Sequence, residues 1–290
     1  MSNEGLIIPE RSRNIGQFTV GRILPFRKKR NVGPFVFIDH MGPKLIKPGG
    51  YLGVDQHPHI GISTLTYLFE GEVEHKDSTG ATQNIGPRDV GFMTAGKAVT
   101  HTERTPEHLK TEYGFFMHGY QIWVALPKEK EEMEPRFDFV SAEKLPKWEQ
   151  NGIQFTLVAG QGFGRTSPLP VHSPLFLLEL KASEASIFET QSELKGELGV
   201  LIVSGEVSCE QETISAGNTI VSENAENLTF TLSNGAHIML FGGEAFSEER
   251  HLFWNFCSSS KELIEEAKLD WEHKRFPKVP GDNTYIPLPN

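Results

Sequence analysis

The feature that most constrains the fold is a series of short apolar segments bounded by turn-forming residues. Examples are Phe35–Ile38, Leu65–Phe69, Gln121–Leu126 and Phe155–Val158, and most are flanked by Gly, Pro, Asn or Asp. Short strands with this punctuation are typical of β-sandwiches and β-barrels. The 28 glycines and 18 prolines among 290 residues also suit a turn-rich β protein better than a helical bundle. The sequence therefore predicts an all-β fold.

A weak internal repeat indicates two similar β domains. Each half contains a strand, a Gly-Glu-Val sequence, a second strand and then a turn that introduces another strand: Leu68–Glu74 with Ile85–Val90, and Val203–Ser208 with Ile214–Thr219. The charged stretch Pro127–Pro135 separates the two halves and has the composition of a linker or an exposed loop. We predict domains over residues 1–137 and 138–290.

One helix is predicted near the C-terminus. Ser258–Ser260 offers hydroxyl groups for an N-cap, and acidic residues follow in the first turns. Apolar residues then recur at helical spacing, namely Leu263, Ile264, Ala267 and Trp271. This pattern predicts a short helix that packs against a sheet.

Composition and charge exclude several classes of protein. The formal net charge is −10, which disfavours direct binding to nucleic acid or to an anionic membrane. The basic run Arg27–Arg30 is interpreted as a solvated loop or a contact for a protein partner. The N-terminus lacks a signal-peptide pattern, and no apolar run is long enough to span a membrane, so we expect a cytoplasmic protein. Cys209 and Cys257 are far apart in the sequence, and we expect free thiols.

Two histidines one residue apart open the candidate site. His57 and His59 lie just before the β-branched and aromatic run of a predicted strand. Residues i and i+2 of a strand point to the same face, about 7 Å apart at Cα, so both imidazoles can reach one metal ion. Two ligands do not make a tight site, and this pair alone is more often structural.

A second pair with the same spacing completes a ligand set. His101 and Glu103 follow a turn at Gly96 and are again two residues apart. If the two strands are neighbours in a barrel, three imidazoles and one carboxylate face inward together. A mixed nitrogen and oxygen set suits a divalent first-row metal and leaves open coordination positions for chemistry.

The other histidines are predicted to have other roles. His75 is interpreted as a solvated residue at a strand end, His40 as a packed loop residue, and His118 as a structural residue or one that lines the cavity. The remaining five have no partner at ligand spacing and are predicted to be structural or solvated: His108, His172, His237, His251 and His273. The glycine-rich Gly160–Gly164 precedes neither a helix start nor a Lys-Ser/Thr pair, and it is interpreted as a loop between strands.

At several motifs the sequence resembles the pirin family of the cupin superfamily, over nearly the whole chain. The most specific is a Met-Thr-Ala-Gly turn followed by His-x-Glu. The motifs are Gly33–Pro43, His57–His59, Thr66–His75, Pro87–Gly96 and His101–Glu103. The resemblance implies a bicupin, with two stacked antiparallel β-barrels of jelly-roll type. It also implies one divalent metal, Fe(II), held in the N-terminal barrel by His57, His59, His101 and Glu103. The second barrel has neither an HxH nor an HxE motif, and we predict that it binds no metal.

The resemblance implies two classes of function. Some pirins act as quercetin 2,3-dioxygenases, which predicts an enzyme acting on a small flavonol-like substrate and O₂, with Glu103 as the catalytic base. Animal pirins also act as transcriptional co-regulators, which leaves open a non-catalytic, redox-sensitive iron protein that acts through a protein partner. A small-molecule isomerase or a storage cupin is a third reading. Many pirins carry Arg and Glu just after the HPH motif, whereas this chain has Ile60 and Ser63. This departure bears on the polarity of the pocket and hence on the substrate.

Overall fold

The computed structural model describes residues 5–15, 18–210 and 212–289. The first part of the chain forms twelve strands: β1 Leu6–Pro9, β2 Arg11–Ile15, β3 Phe18–Leu24, β4 Phe35–Ile46, β5 Gly53–His59, β6 Ile62–Glu70, β7 Val73–Asp77, β8 Thr82–Ile85, β9 Val90–Thr94, β10 Val99–Arg104, β11 Phe115–Ala125 and β12 Arg136–Val140. Short 3₁₀ helices cover Glu107–Leu109 and Lys128–Lys130.

The second part continues in the same way and ends in a helix. Its strands are β13 Lys147–Gln150, β14 Ile153–Gly162, β15 Arg165–Thr166, β16 Leu175–Ala182, β17 Ser186–Glu189, β18 Glu197–Ser204, β19 Glu206–Cys209, β20 Glu212–Ser215, β21 Asn218–Ser222, β22 Thr229–Leu232, β23 His237–Gly243, β24 His251–Phe253 and β25 Phe256–Ser258. The helix α1 covers Lys261–Glu272. The predicted all-β class with a short C-terminal helix is confirmed.

The chain divides into two compact units, and each consists of three separate stretches of the sequence. Unit A comprises Ser12–Arg22, Phe37–Ala142 and Ser247–Asn290. Unit B comprises the segment that ends at Arg11 together with Ile23–Val36 and Glu143–Phe246. In this division the C-terminal helix belongs to unit A, and the domain bounds at residues 137 and 138 stay a prediction.

Unit A is built from two main antiparallel sheets and a small two-stranded sheet of β24 and β25. The larger has the strand order β12-β9-β6-β11-β4-β3-β2, and the smaller has the order β5-β10-β7-β8. Strand β6 lies between β9 and β11, and every residue from Ile62 to Phe69 is buried. Leu68 of the larger sheet packs with Val73 of the smaller sheet in a shared apolar cluster. The smaller sheet carries the candidate histidines.

Unit B repeats this design without the histidines. Its larger sheet has the order β1-β21-β18-β23-β16-β14-β13, with β15 paired to β14, and its smaller sheet has the order β17-β22-β19-β20. One apolar core joins both sheets and includes Phe155, Leu178 and Leu240 from the larger one and Phe188 and Phe230 from the smaller one. The inner faces of the two sheets therefore pack against each other, as in a two-sheet barrel.

The sequence repeat occupies the same place in both units. In unit A the Gly-Glu-Val sequence connects β6 to β7, and in unit B it connects β18 to β19. Gly71 and Gly205 both adopt positive φ, 85° and 77°, a conformation that glycine takes without steric cost. The weak repeat therefore marks equivalent strand connections.

The helix α1 forms where the sequence predicts it. Ser260 is the N-cap, and its hydroxyl accepts a hydrogen bond from the Leu263 N–H. Ile264, Ala267 and Trp271 are buried in a cluster with Ile60 and Phe256 and with other apolar residues of the C-terminal segment. The helix thus covers the residue that follows His59 directly.

The charged stretch Pro127–Pro135 is more ordered than an exposed linker. Glu131 is buried, and its carboxylate accepts hydrogen bonds from Ser258 and Ser259 and pairs with the buried Arg250. The prediction of a wholly exposed loop is wrong at this residue, because the carboxylate fastens the C-terminal segment of unit A. The prediction of a loop over Gly160–Gly164 is correct only for Phe163 and Gly164, which connect β14 to β15, because residues 160–162 are the end of β14.

Both cysteines are free, and we expect them to differ in reactivity. Burial raises the pKa of the Cys257 thiol to about 12, and Cys209 is only partly buried. Partial burial also raises the pKa of the Cys209 thiol, but Cys257 is fully buried, so less of its thiolate is present and its sulfur is less accessible. In native protein at pH 8, a maleimide should label Cys209 rapidly and Cys257 slowly, and both should react in urea. Equal labelling rates in the native state would contradict the buried placement of Cys257.

No helix in the described part of the chain has the length and apolar character needed to cross a membrane.

Candidate metal centre

Three histidines lie on two neighbouring strands of unit A. Strands β5 and β10 pair antiparallel, with His57 opposite His101 and His59 opposite Val99. His57 and His59 share one face of β5 because side chains alternate along a strand, and the register brings His101 to the same face. Strands β5 and β10 are therefore neighbours, as the predicted ligand set requires.

The three imidazoles form a tight buried group. Their ligand nitrogens all lie within 4.8 Å of one another, and Nε2 of His59 is 3.1 Å from Nε2 of His101. The exposed fractions of His57, His59 and His101 are 6%, 1% and 0%. Across residues 5–15, 18–210 and 212–289 they form the single group of at least three His, Cys, Asp or Glu side chains at this spacing.

The backbone selects the tautomer of two of these rings. Nδ1 of His57 lies 2.8 Å from the Asp55 carbonyl oxygen, and Nδ1 of His59 lies 3.2 Å from that of Asn255. A carbonyl oxygen only accepts hydrogen bonds, so each Nδ1 carries the proton and each Nε2 has a free lone pair. Lone pairs that converge in a buried space repel one another unless a cation lies between them. The group therefore fits a divalent metal ion by the chemistry of its donors.

Burial keeps the imidazoles neutral, as metal ligation requires. It lowers the pKa of His57 to about 4, against the opposing hydrogen bond to Asp55. Burial, followed by the charge of His57, lowers the pKa values of His59 and His101 well below their usual range. At neutral pH the three lone pairs are thus available without loss of a proton.

Glu103 lies beside this group but is not one of its three members. A register shift between His101 and Glu103 interrupts the pairing of β10 with β5. Gln121 Nε2 donates a 3.0 Å hydrogen bond to Glu103 Oε1, and Thr66 Oγ1 donates to Gln121 Oε1 at 2.8 Å. Burial raises the Glu103 pKa, and this effect exceeds the opposing influence of His75 and of the hydrogen bonds that Gln121 and Thr66 donate to the carboxylate. The assignment of Glu103 as the fourth ligand stays a prediction.

Aromatic rings border the histidine group. Trp123 lies edge-on to His59, with ring centroids 5.1 Å apart. Phe37 stacks on Trp123 at 3.9 Å, and the Arg22 guanidinium lies over the other side of the stack, 4.3 Å from the Phe37 centroid. Trp123 is therefore an apolar aromatic neighbour of the metal position, and Phe37 covers one face of its ring.

His75 was predicted to be solvated, and that prediction is wrong. Its side chain is 2% exposed, its Nδ1 lies 3.3 Å from Nδ1 of His101, and its Nε2 lies 2.9 Å from Asp77 Oδ2. In β7, Val73, His75 and Asp77 are buried, whereas Glu74 and Lys76 are partly exposed. The one sequence signal for burial is Val73, which lies two residues before His75 on the same face, and the charged Asp77 at the same spacing obscures it.

The remaining histidines lie outside the group. His40 is in strand β4 and not in a loop, so that detail of the prediction is wrong; its Nε2 is 3.0 Å from Nε2 of His118 in β11. His237 pairs with Glu179 at 2.9 Å, and His108 with Glu72 at 3.3 Å.

The segment after the HPH motif has a structural role in this chain. Ile60 packs with Phe256 and the buried face of α1. Ser63 is buried, and its hydroxyl lies 3.0 Å from that of Thr94. An apolar side chain at position 60 is therefore part of the attachment of the C-terminal segment.

The C-terminal segment also holds the free edge of β5. The Gln56 side chain donates to the Thr284 carbonyl at 2.8 Å and accepts from the Val279 N–H at 2.7 Å. The Ile286 N–H donates to the Gln56 carbonyl at 3.0 Å. These contacts protect the strand that carries His57 and His59 from pairing with another chain.

Comparisons with known protein families match both halves of the chain. Residues 17–124 match the pirin family, and residues 177–277 match the pirin C-terminal cupin domain. Two cupin domains in one all-β chain confirm the predicted bicupin fold. The prediction that the second domain binds no metal stays a prediction.

Individual relatives cover almost the whole chain. A pirin-like protein of Caulobacter vibrioides is 42% identical over 289 residues, which is 98% of this chain and 99% of the relative. A crystal structure described as quercetin 2,3-dioxygenase from Acinetobacter baumannii superposes with a TM-score of 0.91 at 33% identity, covering 99% of this chain and 95% of that one. Human pirin is 27% identical over 274 residues, which is 92% of this chain and 90% of the relative. The buried histidine group, the fold and these relatives together show that the chain belongs to the pirin family.

Proposed function

We propose that this protein is a metal-dependent dioxygenase that opens the ring of a flavonol-like substrate with O₂ and releases carbon monoxide. The observation that carries the proposal is the convergence of three buried, neutral imidazoles beside the aromatic ring of Trp123. The similar Acinetobacter baumannii protein is described as a quercetin 2,3-dioxygenase, which supports the same substrate class.

The ligand set of the proposal is His57, His59, His101 and Glu103, with Fe(II) as the metal. Bound there, the metal supplies a Lewis acid that lowers the pKa of an enolic hydroxyl and a redox centre for reaction with O₂. Mixed nitrogen and oxygen donors suit such an ion.

The protein's own groups bind and orient the substrate. Trp123 is proposed as the apolar contact for the flavonol rings, and the buried Trp123 and Phe37 exclude water from the reacting centre. Glu103 is proposed as the base that takes the proton of the substrate's 3-hydroxyl. The raised pKa of its carboxyl makes it a better proton acceptor near neutral pH, and Gln121 fixes the orientation of the carboxylate.

The test is turnover by metal-loaded protein. Fe(II) is loaded anaerobically, its occupancy is measured, and quercetin and O₂ are then added. We expect consumption of quercetin and O₂ with one carbon monoxide released per ring opened, and loss of all three signals in the His101→Ala variant. Absence of carbon monoxide at full Fe(II) occupancy would overturn the dioxygenase proposal. It would favour the alternative, an iron-binding regulator that acts through a protein partner.

A further inference from the structure

We propose that His75 and Asp77 are positioning residues that hold His101 in the one tautomer able to bind the metal. The proposal rests on the metal site of the preceding section and adds to it two residues that no ligand motif contains. It describes a relay of side chains, Asp77 to His75 to His101, that ends at the metal position.

The three side chains form a continuous buried chain across two paired strands. In the register of β7 with β10, His101 is opposite Asp77, and Glu103 is opposite His75. Asp77 Oδ2 lies 2.9 Å from His75 Nε2, and His75 Nδ1 lies 3.3 Å from His101 Nδ1. Asp77 and His101 are 0% exposed, and His75 is 2% exposed. Phe137 stacks on the His75 ring at 4.3 Å and fixes its plane.

The two oxygens of Asp77 have separate tasks. Oδ1 accepts hydrogen bonds from the Thr79 N–H at 2.8 Å, the Thr79 hydroxyl at 2.6 Å and the Ala81 N–H at 3.2 Å, and so fixes the turn after β7. Oδ2 faces His75. Burial raises the Asp77 pKa, but the hydrogen bonds from His75 and Thr79 outweigh this effect and lower it, so the group is a carboxylate. A carboxylate only accepts hydrogen bonds.

The protons of both rings follow from that carboxylate. Asp77 Oδ2 requires a proton on His75 Nε2, and in the proposed relay this is the one proton of the ring, so Nδ1 of His75 has a free lone pair. That lone pair accepts the proton of His101 Nδ1, and Nε2 of His101 is left unprotonated. Nε2 is the atom that faces Nε2 of His59 at 3.1 Å, where the metal belongs. The relay therefore orients a lone pair toward the metal position.

His101 differs from the other two histidines in how its ring is held. His57 and His59 donate to backbone carbonyl oxygens, whereas the Nδ1 partner of His101 is a side chain backed by a carboxylate. A partner of this kind raises the basicity of the ligand as well as fixing its ring. In the proposed relay, the donor strength of His101 therefore depends on the side chains of His75 and Asp77.

The test is Asp77→Asn, which keeps the shape and removes the charge. If the new amide nitrogen faces His75, it donates to Nε2, and the proton of the His75 ring must lie on Nδ1. Nδ1 of His75 can then no longer accept a hydrogen bond from His101. If the amide oxygen faces His75, the amide nitrogen meets the donors of Thr79 and Ala81. We expect the Zn²⁺ affinity, measured by competition with a chromogenic chelator, to fall about 10- to 100-fold.

Two control variants separate the relay from the turn. Thr79→Val removes a hydrogen bond to Oδ1 and leaves Oδ2 and His75 untouched. Asp89→Asn removes another carboxylate that caps a turn in unit A, through the Gly86 and Ala142 N–H groups, and that is remote from the relay in its contacts. Both controls should keep the wild-type Zn²⁺ affinity. Equal affinity in Asp77→Asn and wild type, or an equal loss in Thr79→Val, would overturn the relay.

A second pair of variants decides the matter if Asp77→Asn fails to fold. Asn and Leu have nearly the same shape, but only the amide oxygen of Asn can stand in for the Nδ1 acceptor of His75. His75→Asn should therefore bind Zn²⁺ more tightly than His75→Leu. Equal affinities in these two variants would overturn the relay.

The proton positions give a readout that a purely structural role would not change. In ¹⁵N-labelled, Zn²⁺-loaded protein, long-range imidazole spectra should show His75 protonated at Nε2 and bare at Nδ1. A proton on His75 Nδ1 would overturn the proposal. If His59→Ala removes Zn²⁺ and Asp77→Asn does not, the metal site stands and the relay fails. If His59→Ala and His101→Ala keep wild-type Zn²⁺, the metal site fails instead.

Discussion

His101→Ala is expected to remove nearly all bound metal while leaving the fold intact. The variant deletes one of three imidazoles whose ligand nitrogens lie within 4.8 Å of one another, and the remaining pair cannot enclose an ion. Loss of a direct ligand should weaken affinity by more than the roughly 10- to 100-fold typical of an outer partner. Metal content after dialysis against a Zn²⁺ buffer, measured by mass spectrometry, checks the prediction, and far-UV circular dichroism checks the fold.

His40→Ala is the matched control for that experiment. His40 is also a buried histidine of unit A, and it contacts another imidazole, His118, but it lies outside the metal group. The control should keep wild-type metal content. Glu103→Ala should also lose most of the metal if its carboxylate is the fourth ligand. Unchanged metal stoichiometry in both His101→Ala and Glu103→Ala would defeat the four-ligand assignment.

Gly61→Ala is expected to destabilise the protein strongly although it adds only one methyl group near the site. Gly61 connects β5 to β6 at φ +67°, and a Cβ there would meet the Cys257 carbonyl oxygen at 1.9 Å. Its N–H donates to the Gly96 carbonyl and its carbonyl accepts from the Leu126 N–H, so the backbone cannot shift without breaking both bonds. We expect the free energy of unfolding to fall by about 3 kcal/mol or more, from overlap and positive φ together.

Gly49→Ala isolates the contribution of the backbone angle. Gly49 has almost the same φ, +69°, but a Cβ there would meet nothing within 4 Å. This variant should lose only about 1–2 kcal/mol, the ordinary cost of a left-handed residue. Urea unfolding of the metal-free proteins measures both values. Equal losses in the two variants would show that the approach of Cys257 to Gly61 does not constrain the turn.

The same substitution should also weaken the metal site. A methyl group at position 61 would displace Cys257, which Asn255 and Phe256 precede in the chain. The Asn255 carbonyl accepts from the His59 ring, and Phe256 packs on Ile60. A loss of Zn²⁺ affinity in Gly61→Ala but not in Gly49→Ala would link the C-terminal segment to the orientation of His59.

Much of the candidate site was predictable because strand geometry is simple. The period of two places His57 and His59 on one face whatever the rest of the fold, and it does the same for His101 and Glu103. The prediction for His75 was wrong because the charged Glu74 and Asp77 suggested a solvated strand end, whereas Asp77 is itself buried. Residues of one strand can be assigned to a face from sequence, but which face is buried depends on what covers it.

Some features depend on contacts between residues that are distant in sequence. Asn255 holds the ring of His59 across 196 positions, and Val279 and Thr284 hold Gln56 from the other end of the chain. The division into units A and B also follows such contacts, because the helix α1 groups with the first cupin domain. A local pattern carries no information about partners that approach from a remote segment.

The sequence by itself determined the all-β class, the repeat, the helix and the residue types of a metal site, because each depends on spacing along a single element. Only the tertiary structure decided that β10 lies between β5 and β7. That order places His101 between its fellow ligands and the His75–Asp77 pair, and it depends on how the sheet is assembled. Strand order is set by the burial of apolar faces throughout the unit, and this is a property of the whole chain.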